Sequence, residues 1–182
     1  MGTKRVGLAR TQALVENLKR ELTMGNSTLN GTNLGVKSVS SSTTLSAADS
    51  GKVIWWDAST SNTLTLPAAA AGLNFKVILK DTVNTDDAAR ITVTVGDCFY
   101  GLVSVTSTTD HKMSSQAVDY DTAIATETSY DNLNFSPDAN TTGGTSGDVI
   151  EITAVNDNAW HIRCILTTTG TAPASVATIG AS

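Results

Sequence analysis

The sequence predicts a mainly β protein: an antiparallel β-sandwich of jelly-roll-like form with an N-terminal α-helical arm. Three observations point there. Thr and Ser are abundant, at 29 and 18 of 182 residues, and β-branched Thr suits a pleated surface better than a helix. From residue 52 onward, apolar and polar residues alternate in short runs separated by Gly, Asn, Asp and Pro. That is the period-2 signature of half-buried strands joined by turns. Helical spacing, by contrast, is confined to the first 24 residues.

Residues 3–24 contain no Pro and a single Gly, Gly7. Leu8, Thr11, Val15, Leu18 and Leu22 recur at spacings of 3, 4, 3 and 4, the a/d stripe of a helix that seeks a partner. Gly25 follows where a helix-ending residue belongs. A helix of about six turns is marginal alone in water. Its stripe packs either on its own β domain or on a sister arm or another protein, and the tether-like sequence after it favours the second use. The chain thus divides into an arm (1–25), a Gly/Ser/Asn linker (26–42) with one short strand around 36–39, a β domain (43–170) and a C-terminal tail (171–182).

Within the β domain, residues 52–57 form a short strand and 62–66 a second, with Leu64 and Leu66 on one face. Pro67 cannot donate to a ladder and ends that strand. Leu73, Phe75, Val77 and Leu79 then alternate with Asn74, Lys76, Ile78 and Lys80. Ile91, Val93 and Val95 mark a further strand, and residues 99–105 another, where Gly101 signals a bulge or a close backbone approach. Gly147 and Asp148 open a strand that turns Ile150 and Ile152 inward. Trp160, Ile162, Cys164 and Leu166 close the series, alternating with His161, Arg163, Ile165 and Thr167. Residues 107–146 interrupt the rhythm. Their polar composition reads as a long inserted loop or an irregular hairpin with a strand near 130–135.

Charge and composition narrow the function. Residues 1–25 carry five basic and two acidic side chains, a net +3, and the remainder carries −8. An acidic body offers few phosphate contacts, so no nucleic-acid partner is expected. No apolar run reaches the 18 residues of a membrane span, and the N-terminus has no apolar signal core, so no membrane partner or signal peptide is expected. Two His and two Cys are too few and too scattered for a zinc site. Asp119 and Asp121 lack the Gly and distal Glu of a calcium loop. No nucleophile motif, phosphate loop or catalytic carboxylate pair is present. We therefore expect no catalytic residue, no metal and no cofactor. Cys164 shares the face of Trp160 and reads as a buried thiol, which Cys98 could meet across strands. Trp55 and Trp56 are neighbours, so on a strand they point to opposite faces. One indole is core. The other faces out, into another subunit or under the long loop, or serves as a sugar-stacking platform.

The run Thr44-Leu45-Ser46-Ala47-Ala48-Asp49-Ser50-Gly51-Lys52 leads to Asp57-Ala58, Leu64-Thr65-Leu66-Pro67, Ala70-Ala71-Gly72-Leu73 and Phe75-Lys76-Val77. The closing part reads Gly147-Asp148-Val149-Ile150-Glu151-Ile152 and Ala159-Trp160-His161-Ile162. Together these resemble a β module of tailed-phage virion proteins that occurs in head decoration proteins and in fibres. The arm is similar to the N-terminal segment of structural proteins from marine, cyanophage-like viruses. The resemblance covers roughly residues 1–80 and 145–170, and departs from the pattern in 107–146 and at Trp55-Trp56, where the family has smaller residues. Taken for itself, the motif is architectural: Asp49-Ser50-Gly51 is turn chemistry and Gly72 allows a tight corner.

The resemblance implies a non-enzymatic capsid decoration (cement) protein on the outside of the head, a homotrimer bound to the major capsid protein. It would be assembled in the host cytoplasm, where both thiols stay reduced. The alternative is a fibre or spike component that binds a host-surface glycan. On the first reading Leu8, Val15, Leu18 and Leu22 carry the arm's affinity, Arg5 and Arg10 steer it, and Trp55 or Trp56 lies at a subunit contact.

Overall fold

Alternation decides which residues of each strand enter the core. In β5 (Asn74–Asp81), Phe75, Val77 and Leu79 are buried while Asn74, Lys76 and Lys80 are exposed. In β11 (Ala159–Thr168), Trp160, Ile162, Cys164 and Leu166 are buried while His161, Arg163 and Ile165 are exposed. The computed structural model describes residues 7, 11–12, 35–83, 89–125, 130–135, 143–170 and 178–180. The chain divides into two units, Met1–Asn33 and Leu34–Ser182. In the first, Thr11 and Gln12 are helical, and the Thr11 amide donates to the Gly7 carbonyl at 3.3 Å. The rest of the helix expected over 3–24 lies outside the described residues.

The second unit is mostly β. Its remaining strands are β1 (Val36–Val39), β2 (Thr43–Thr44), β3 (Val53–Asp57), β4 (Thr63–Thr65), β6 (Arg90–Thr92), β7 (Cys98–Ser107), β8 (Met113–Val118), β9 (Asn132–Asn134), β10 (Val149–Ala154) and β12 (Thr178–Gly180). One short helix, α1 (Tyr120–Ala125), lies between β8 and β9. A seven-stranded sheet runs β1-β3-β5-β10-β11-β7-β8, and a five-stranded sheet runs β12-β9-β6-β4-β2.

Both sheets are mixed, which corrects the antiparallel expectation. β1 with β3, β3 with β5, β11 with β7, β2 with β4 and β4 with β6 all pair in parallel. The physical reason is the route of the chain. From β1 to β6 it crosses to the other sheet after every strand, so each return to a sheet runs in the same direction as before. Where the chain turns back directly, as in β7–β8 and β10–β11, the pair is antiparallel, as are the later strands against earlier ones in β5–β10, β6–β9 and β9–β12. Period-2 alternation reports which face is buried and is blind to direction.

Five further elements fall where composition indicated none or left the matter open. β1 sits within the stretch read as linker, at the place expected for a short strand. β8 and α1 occupy part of 107–146, read as an inserted loop, and β9 falls inside the strand expected near 130–135. β12 lies in the stretch read as tail and pairs antiparallel with β9.

The two sheets share one apolar core. Trp56 meets Phe135 edge-on with ring centroids 6.0 Å apart, and Phe75 meets Trp160 at 5.9 Å. Both buried indole N–H groups lack a hydrogen-bond partner among the described residues. Gly101 adopts φ +132°, and a Cβ there would run into the Ile162 carbonyl across the β7–β11 ladder. The close approach expected from its place in a strand is thus real. Cys98 and Cys164 are both buried, and the Cys98 thiol donates to the Asn158 carbonyl at 3.6 Å. They stand opposite Ala159 and Val103 respectively, so they do not face each other across the ladder.

Candidate interaction surface

The motif residues build a corner, and the corner places Trp55. Asp49 ends a short 3-10 turn (Ala47–Asp49) and is buried. Its carboxylate accepts from the Ser46 amide at 3.1 Å, the Ser46 hydroxyl at 2.9 Å, Lys37 Nζ at 2.7 Å and Lys52 Nζ at 2.9 Å. The two ammonium groups beside it hold this carboxyl far below the usual carboxylate range. One side chain thereby ties β1, the turn and the start of β3 together. Asp57 closes the other end of β3, accepting from the Ser59 hydroxyl at 2.6 Å and from Lys80 Nζ at 3.1 Å. Ala58, Leu64, Leu66, Phe75 and Val77 of the same motif are buried. The conformational needs of a strand corner absorb all of these residues.

Between these two anchors, Trp55 and Trp56 stand back to back. Trp56 is fully buried, whereas Trp55 is 37 % exposed on the outer face of the seven-stranded sheet. The register carries that face across the sheet in rows. One row runs Trp55, Ile78, Val149, Ile165 over β3, β5, β10 and β11. Ile165 is 54 % exposed. The adjacent row on β5, β10 and β11 runs Lys76, Glu151, Arg163, alternating in sign. An apolar stripe four strands wide, flanked by alternating charge, is the anatomy of a contact surface. A shallow depression of about 430 Å³ lies on the same face, lined by Gly51, Asn74, Lys76, Glu151 and Thr153 above Phe75 and Ile152.

A second feature was invisible in the sequence. Tyr100 packs edge-on against Tyr120 at 5.0 Å and against His161 at 5.1 Å. The Asn156 amide donates to the Tyr120 hydroxyl at 2.7 Å. Burial raises the Tyr100 phenol above its ordinary value. These residues come from β7, α1 and β11, far apart in sequence, and no local spacing joins them.

Asp148 is the most enclosed carboxylate of the closing motif. It accepts from the amides of Gly144 at 3.0 Å, Thr145 at 2.9 Å and Thr167 at 3.0 Å, and from the Thr167 hydroxyl at 2.7 Å. Burial pushes its carboxyl upward, against the pull of those donors. It pins the loop before β10 to β11 and is structural.

Of the residues expected to act, Trp55 lies on the outer face and Trp56 in the core. Arg5, Leu8, Arg10, Val15, Leu18 and Leu22 lie outside the described residues. Among the described residues no group of three or more His, Cys, Asp or Glu side chains is placed to hold a metal ion, and no helix is long and apolar enough to cross a membrane. No family model, no curated protein and no solved structure matches this chain.

Proposed function

We propose that this chain is a non-enzymatic structural protein of a tailed-phage virion, a decoration (cement) protein held on the outside of the head by contact with the major capsid protein. The observation that supports this reading is how the motif residues are used. Asp49, Asp57, Leu64, Leu66 and Phe75 are consumed in building one corner of the fold, and what that corner presents is an exposed Trp55 on a broad apolar row. Such an arrangement serves contact between proteins. With this reading goes the finer description of the fold as a β-sandwich, its two mixed sheets enclosing the shared core. The two buried thiols suit assembly in a reducing cytoplasm.

Quantitative mass spectrometry of purified virions tests it. A copy number comparable to that of the major capsid protein is the expected result. A small count would favour a fibre or spike component that binds a host glycan, and absence from virions would end both readings.

A further inference from the structure

The outer face of the seven-stranded sheet is complementary to itself. Consider a two-fold axis lying in that face, parallel to the strands and between β5 and β10. It lays β5 of one copy over β10 of the other, and β3 over β11. The register then carries Lys76 onto Glu151, Ile78 onto Val149 and Trp55 onto Ile165. Every apolar residue of the row meets an apolar one, and Lys76 meets its opposite charge in Glu151, while Arg163 falls over Val53 at the margin. The match is particular to this axis. Moved one strand to the β10–β11 seam, it would lay Trp55 over Ser115 and Lys76 over Leu102. Moved the other way, to the β3–β5 seam, it would lay Val149 over Ser38.

We propose that the chain binds a second copy of itself, face to face across this sheet, with Trp55 and Ile165 as the paired apolar anchors. Both are large side chains left substantially exposed, at 37 % and 54 %, and apolar anchors of this kind dominate the energy of interfaces. An isologous contact forms each pair twice, so a modest patch counts double. Twisted sheets pack with their strands at roughly 30°. That angle keeps the central β5 and β10 rows in register and lets the corners of the interface open to water. A trimer, which the phage resemblance implies, needs two different patches meeting head to tail, and this face offers one patch that fits itself. The inference does not depend on the virion reading.

Sedimentation velocity on the full-length chain tests it. The expected mass is twice the 18.9 kDa of one chain. Ile165→Asp weakens pairing by roughly a hundredfold, by analogy with the loss of an interface hot spot. It lowers the melting temperature of the monomer by only a few degrees, because the side chain lies on the exposed face of the sheet and outside the core cluster. Lys76→Glu and Glu151→Lys each weaken pairing about tenfold by setting like charges together, and the double exchange in one chain restores it. A monomer at about 100 µM, well above a micromolar dissociation constant, overturns the proposal. So does a threefold mass, and so does a dimer indifferent to all these substitutions, whose contact would then lie elsewhere, as on the N-terminal arm.

Discussion

Asp49 shows how much one side chain can decide. Its carboxylate satisfies a turn amide, a turn hydroxyl and two lysines while nearly excluded from water. Replacing it with Ala removes the acceptor of four donors, at a cost of about 2 kcal/mol by the usual worth of hydrogen bonds to a charged group. The pH dependence has a definite sign. Because the folded carboxyl titrates below its unfolded value, its contribution is complete above about pH 4 and fades as the pH falls toward the depressed folded value. Urea unfolding of the wild type and Asp49→Ala is therefore expected to differ by that amount at pH 7, with the gap closing in acid. A gap that widened below pH 4 would refute the assignment. Asp148 works in the opposite sense. Burial raises its carboxyl, so ionising it costs stability as the pH climbs from the unfolded value through the raised one.

At the scale of elements, the parallel β7–β11 pairing rests on Gly101. A methyl group there collides with a backbone carbonyl that cannot move aside without breaking the ladder. Gly101→Ala is expected to lower stability by about 3 kcal/mol or more, within the range of severe backbone and packing defects. Gly96→Ala makes a useful contrast. That residue also has positive φ, at +94°, but a Cβ there meets nothing within 4 Å, so only the conformational strain of about 1 kcal/mol applies. Thermal melts of the two variants separate collision from strain. The same scale shows what the sequence made legible. β5, β10 and β11 announce themselves because each has one wet and one dry face, and alternation is the direct imprint of that difference. β8 does not. As an edge strand it exposes Met113, Ser115 and Ala117 and buries only Val118 at its end, so no pattern of burial marks it. α1 is too short to show a helical period. The direction of pairing was illegible throughout, because it is set by which sheet the chain visits next and not by any residue within the strand. The site was legible in part. Two adjacent indoles had to face opposite ways, but the row that extends Trp55 across four strands exists only once the register is known.

For the molecule as a whole, the unit Leu34–Ser182 contains every described residue of the shared core. Deleting residues 1–33 is therefore expected to leave its melting temperature within a degree or two, since surface changes away from such a core alter stability by about 0.5 kcal/mol or less. On the decoration reading the same deletion abolishes occupancy of the head, because the arm's Leu8, Val15, Leu18 and Leu22 stripe is gone. A truncated chain that decorates heads fully would show that the β domain anchors itself. A truncated chain that fails to fold would show that the arm completes the core.

The crossing of the chain between sheets after each of the first five strands has a consequence for how such a domain could change over generations. Each circuit adds one strand to each sheet, and the first circuit, β1 with β2, forms the outermost strand of both. A duplicated circuit inserted ahead of Val36 would lay its strands on those two edges at once, in the same parallel sense, and leave every existing neighbour in place. Growth of this kind is repetitive, like adding rungs to a ladder from one end. Lineages that share the Asp49 corner can therefore differ in the number of circuits before it while keeping the β10–β11 hairpin and its outer face intact.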